Sequence, residues 1–431
     1  MSNGRNASPQ QVAKVEQVID ASLEALPLPA EEYSQALWHF LTVSEDMPRM
    51  MILRSSGSAT QHGESDEIMR LSRILDDNKY ALRYILDLID RRLPRARTLR
   101  KRIKTGELPY RTAARSLAAA RGYRTAVGVF TLYHSREALC TIDESGEHLW
   151  FRFPAHSEAY LAVEYSVSIE DAGMNVISAL VAWLRFPGGA PPLVEQIGKS
   201  VAILDEDRLV YEFDGRAAAE LAGILPNPQS WNLVPLSWAF PWGSREEVMA
   251  LWNSLQIRCA YHLLAINFGA SRLQITGGGV DDLCLRIKRG LLVQNIRRIS
   301  RAPLDRIVRF VHGMIYGKGT RTPDPGLQPL IPCGGDELLV PCMHILSSKG
   351  GRNLLSLHAR VDEKSFNSQS AAFEQAMVED LAALASGRFP LIRTQFNFAP
   401  TGEIDLVIVD DRSATILIGE LRWMIPPGDT Q

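Results

Sequence analysis

The sequence predicts an α+β protein: a helical N-terminal region over 1–125, a mixed region over 126–320, and a helix followed by strands within 333–431. Three observations predict this. Apolar residues recur at three- and four-residue spacing through most of the first 125 positions. Runs rich in branched and aromatic residues alternate with helical stretches in the middle. The last third closes on one helical run and three strand-like runs. At about 150 residues per domain, 431 residues suggest roughly three domains. Such a length buries a core without needing disulfides or a metal.

In order along the chain, 16–26 and 31–43 carry the helical spacing, broken by Pro27 and Pro29. The polar stretch 56–66 reads as an exposed loop, and a stronger helix runs from 68 to 92. Strands are expected at 127–134, 148–153, 160–167 and 208–213. Helices are expected at 217–225, at 245–269 and across 286–312, with a turn at the glycines 277–279. The Pro- and Gly-rich segment 319–332 is the best linker candidate. Beyond it, 337–346 and 354–361 read as strands, and 368–386 reads as a helix closed by Gly387 in a left-handed cap. Strands then follow at 389–398, 403–410 and 414–423.

Charge narrows the possible partners. Forty-seven Lys and Arg against 49 Asp and Glu give a net −2, which excludes a bulk polycation. Within 91–124, however, twelve basic residues meet one acid, Glu107, a local +11. Arg97, Arg100, Lys101, Arg102 and Lys104 are its densest part and are candidates for phosphate contact, with Tyr110 and Tyr123 able to stack on bases. The competing reading is a solvated helix face neutralised by acids elsewhere. A second basic stretch, 286–312, has one apolar face and reads as packed. No secretory signal opens the chain, and its longest apolar run, 174–186, falls short of the roughly 20 residues a bilayer requires. Five widely spaced cysteines read as buried thiols in a reducing compartment. A cytoplasmic location is the expectation.

The chemistry concentrates at the end of the chain. In 403–410, alternation puts Ile404, Leu406 and Ile408 on one face and Asp405, Val407 and Val409 on the other. In 414–423, Glu420 and Arg422 share a face. Carboxylates beside buried apolar runs are costly unless a cation meets them. Mg²⁺ suits such a pair, because it takes one or two acids and keeps its waters. An ion so held polarises a phosphoryl oxygen and activates a water.

Asp405, Glu420 and Arg422, with fourteen residues between the two acids, resemble the PD-(D/E)XK nuclease superfamily, whose signature is an acid in one strand and acid–any–lysine in the next. The resemblance covers about 60 residues. It implies a restriction-endonuclease-like αβββ core, Mg²⁺ or Mn²⁺ held by Asp405 and Glu420, and nucleic acid as partner, DNA ahead of RNA. It also implies a further acid from the preceding helix. Glu374, beside Met377, Val378 and Leu381, fits that place better than Glu379. Two departures stand out. Arg422 occupies the lysine position and cannot act as a base. The family core continues with another helix and strand, whereas eleven residues follow Glu420, so the core is expected to be incomplete. A catalytically degenerate nuclease fold, used for binding or scaffolding, is therefore the second reading. A third is a structural sheet whose acids simply face solvent.

Other chemistries lack their motifs. Cys333, Cys342 and His344 do not have zinc-ribbon spacing, and residues 317–320 (GKGT) miss the phosphate-loop spacing. GxSxG and HExxH are absent.

Overall fold

The structure is a computed structural model that describes residues 5–54, 61–94, 103–143, 148–152, 179–180, 182–183, 187–204, 208–225, 231, 234–398 and 402–419. It is a mixed α+β protein whose sheets are small and antiparallel.

Four helices dominate the N-terminal part: α1 (Pro9–Glu24), α2 (Tyr33–Arg54), α3 (Gln61–Arg92) and α4 (Glu107–His134). Ser8 starts α1 with a reciprocal capping box to Gln11, and Pro9 supplies a preset φ at its first turn. Buried Leu37, Phe40, Leu41, Leu82, Ile85, Ile89 and Leu117 bring α2, α3 and α4 together. The stretch 127–134, expected as a strand, is the last two turns of α4. The alanine-rich run before it propagates the helix, and Gly122 and Gly128 together cost only about 2 kcal/mol. Phe130 then packs edge-on against Phe151, joining α4 to the sheet of β1 (Arg5–Asn6), β2 (Leu139–Ile142) and β3 (Leu149–Arg152).

The centre is organised by α7 (Arg245–Arg272), capped by Ser244 and Glu247 and apolar almost all round. Around it lie α5 (Pro192–Lys199), the hairpin of β4 (Ala202–Leu204) and β5 (Arg208–Val210), α6 (Gly215–Ile224), and the hairpin of β6 (Ala239–Phe240) and β7 (Gly243–Ser244). A Cβ on Gly198 of α5 would stand 2.6 Å from Phe268 Cβ, so the two helices touch backbone to side chain. Gly198→Ala is expected to destabilise by about 1–3 kcal/mol through overpacking. A lowered urea midpoint at unchanged m checks this; an unchanged midpoint contradicts the close crossing.

The antiparallel sheet of β8 (Leu285–Lys288), β10 (Glu337–Val340) and β9 (Ile331–Gly334) is fed by α8 (Arg289–Ser300) and α9 (Leu304–Gly313). The expected linker 319–332 is instead packed: Leu330 and Gln328 are both fully buried. Gln328 organises it, accepting from Gly317 N and Thr320 Oγ1 and donating to the Gly313 and Lys318 carbonyls. Pro341 ends β10 and starts the short helix α10 (Cys342–Leu346). The expected strand 354–361 lies in α11 (Gly350–Val361), where Leu354, Leu355, Leu357 and His358 form a helical buried face.

The C-terminal module follows the sequence closely. Asp362 caps α12 (Glu363–Ala385), and Gly387 takes φ +80° after it. Then β11 (Leu391–Phe398), β12 (Gly402–Asp410) and β13 (Thr415–Gly419) form an antiparallel sheet in that order. Leu406 and Ile408 bury against Ala385 and Ala382 of α12.

Candidate functional site

Asp405 is half-buried in β12, the central strand of the C-terminal sheet. Since Leu406 and Ile408 pack toward α12, alternation assigns Asp405, with Val407 and Val409, to the opposite face. The β12–β13 register ends with Leu406 opposite Gly419, the residue before Glu420. Glu420 and Arg422 lie outside the described residues. On β11, Thr394 faces Leu406 and Phe396 faces Ile404. Gln395, between them and across from Asp405, has φ +50°, a conformation unusual for a residue with a side chain. Its amide reaches back to Gln375 of α12. Backbone irregularity of this kind concentrates at functional positions.

Glu374 is half-buried on α12, one turn before the buried Val378. It belongs to the helix that packs on the Leu406 face, so alternation alone does not bring it to Asp405. Two carboxylates from neighbouring strands match what Mg²⁺ takes from a protein, and Asp405 is the described member of the expected pair. Among the described residues no group of three or more His, Cys, Asp or Glu side chains is placed to hold a metal.

Of the candidate nucleic-acid contacts, Lys104 is exposed just before α4. Arg97, Arg100, Lys101 and Arg102 lie outside the described residues. Several other cations of the basic stretch meet internal partners. Arg91 pairs with Glu24 and Asp87. Arg124 pairs with Asp77 at 2.9 Å and lies over the Tyr80 ring. The tyrosines expected to stack on bases are half-buried: Tyr110 donates to Asp46 and Tyr123 to Asp20, each at 2.8 Å.

Two buried polar networks escaped the sequence reading. In the first, Glu45 of α2 is fully buried; its Oε2 accepts from Met343 N at 2.7 Å and its Oε1 from His344 N at 3.2 Å. Pro48 lacks the N–H that would bond the Ser44 carbonyl. The His344 ring lies beside it, with Nε2 3.3 Å from Ser44 Oγ, which itself donates to the Leu41 carbonyl. Burial pushes the Glu45 carboxyl up to about 8, opposed by these N–H donors and by Lys79. Burial, reinforced by Lys79, holds His344 down to about 3. On α2 and α3, Thr42 Oγ1 and both amide atoms of Asn78 are buried without a hydrogen-bond partner.

The second network lies on α7. Arg258 Nη1 donates to Tyr211 Oη at 2.9 Å, Tyr211 Oη lies 2.7 Å from His262 Nδ1, and His262 Nε2 lies 2.8 Å from the Asp282 carbonyl. A carbonyl only accepts, so Nε2 carries the proton and Nδ1 accepts from Tyr211. Burial, with Arg258 nearby, holds His262 down to about 3. The tyrosine is pushed up to about 12 by burial against the pull of Arg258.

All five cysteines are free and buried. Burial holds the Cys284 and Cys342 thiols well above their usual range. Cys342 Sγ donates to the Val340 carbonyl at 3.4 Å, and neighbouring Cys259 raises its thiol further, a convergence invisible in their spacing. One sequence signal pointed to both polar networks: α2 and α7 carry apolar residues on every side, so their charged residues have no polar face to occupy.

Comparison of the chain with protein-family models, with curated proteins and with solved structures finds no match.

Proposed function

We propose a metal-dependent, nuclease-like protein that hydrolyses phosphodiester bonds of nucleic acid, DNA ahead of RNA, through its C-terminal module. The observation that carries the reading is the order α12–β11–β12–β13, with Asp405 in the central strand and the neighbouring strand paired up to the residue before Glu420. Asp405 and Glu420 are the proposed ligands of Mg²⁺ or Mn²⁺. Such an ion, when bound, polarises the scissile phosphoryl group and activates water. Arg422 contributes a fixed cation for phosphate oxygens; Glu374, on the helix that covers the Leu406 face, is given no part beside Asp405. Lys104 and the arginines before it contact the nucleic-acid backbone, a contribution that weakens with salt.

With Mg²⁺ or Mn²⁺, the full chain is expected to nick supercoiled DNA, and Asp405→Ala is expected to remove the activity. Cleavage that persists in that variant rules the assignment out. The second reading is a degenerate nuclease fold that binds without cutting; Arg422, where the family carries lysine, favours it. Under that reading the chain retains DNA in a shift assay and cuts none of it.

A further inference from the structure

We propose that the free edge of the Arg258 guanidinium binds an oxyanion, the phosphoryl or carboxylate group of a small ligand. Arg258 sits in the middle of α7 and is 4% exposed. A guanidinium stays protonated in a protein, so a full positive charge lies in the core. Its Cζ is 4.9 Å from the Phe213 ring centroid and 5.6 Å from that of Tyr211. These aromatic faces partly offset its desolvation. Nη1 is spent on Tyr211, and Nε is buried with no hydrogen-bond partner.

Among the described residues, no carboxylate forms an ion pair with Arg258. Asp214, next to Phe213, uses its Oδ1 to cap α6 through Arg216 N. Tyr211 and His262 supply no negative charge either, since the hydrogen-bond order fixes His262 as the neutral Nε2–H form and Tyr211 as its donor. A buried, uncompensated cation is strongly unfavourable. Planar guanidinium edges are matched by phosphate and carboxylate oxygens through paired hydrogen bonds. The aromatic walls fix the plane of the group, and Tyr211 Oη orients it. An oxyanion at the unused edge supplies both the missing charge and the missing acceptor.

The test is thermal unfolding of the full chain in chloride buffer at constant ionic strength, titrated with inorganic phosphate and, in parallel, with acetate. The proposal predicts a saturable rise in Tm of about 3 °C with one of them. A response to phosphate assigns a phosphoryl ligand; a response to acetate assigns a carboxylate. Arg258→Met should abolish the response and, without either anion, unfold at or above the wild-type temperature, because it removes an uncompensated charge. Arg258→Lys, which keeps the charge without the fork, should need at least about tenfold more anion. No response to either anion overturns the site, and so does an equal response in Arg258→Lys. The outcome is independent of nucleic-acid cleavage.

Discussion

Replacing Glu45 with alanine is expected to destabilise the protein by about 3–5 kcal/mol, the scale of two buried N–H groups left without an acceptor. The Met343 and His344 N–H groups lose their acceptor inside the core, and the contact tying α2 to α10 across 298 residues of sequence disappears. The same carboxyl shapes the pH dependence. Its folded value, about 8, lies above its ordinary 4.5, so in that interval the folded protein keeps a proton the unfolded chain has lost. Stability from this group is full below about 4.5 and is lost as the pH rises through 8. His262 and His344 act in the opposite sense. Both are held near 3 against an ordinary 6.5, so their contribution is full above 6.5 and is lost as the pH falls toward 3. Between 4.5 and 6.5 the two histidines outweigh the single glutamate. Stability is therefore expected to peak near pH 6.5. Urea denaturation at pH 5.5, 6.5 and 8 measures the profile. Glu45→Gln should remove the alkaline decline; a variant that keeps the same decline contradicts this origin.

The second large effect belongs to Asp405. Losing a partner that merely supports a metal ligand costs about 10–100-fold in affinity or activity. Loss of a direct ligand should exceed that, so Asp405→Ala is expected to reduce cleavage by more than about 100-fold. Folding should be little affected, because the side chain lies on the face opposite the Leu406–Ile408 packing. Unchanged urea unfolding with lost cleavage separates chemistry from stability. Parallel loss of both assigns Asp405 a structural role.

The C-terminal module was legible because its signals are local. Gly387 marks the end of α12, and a run of branched residues between acids marks β12. Elsewhere, local patterns supported two structures. In 127–134 and 354–361, apolar residues fit both a strand and a helix, and packing selected the helix: Phe130 against Phe151 in one case, Leu354 to His358 facing the core in the other. Proline and glycine made 319–332 look exposed, yet one buried glutamine satisfies the turn from within. The partners in the polar networks were not legible, since Glu45 finds its donors on α10 and Arg258 finds its oxygen on Tyr211, far away in sequence. For the candidate site, the sequence yielded Asp405 and its strand. The Gln395 backbone kink across from it came only with the sheet.

The most direct measurement is calorimetric titration of the full chain with Mn²⁺ and Mg²⁺, comparing wild type with Asp405→Asn and Glu420→Gln. If the two acids hold the ion, the wild type binds one equivalent and each variant loses at least about tenfold in affinity. Equal binding in all three proteins, or no binding in the wild type, would contradict a metal site at Asp405 and Glu420.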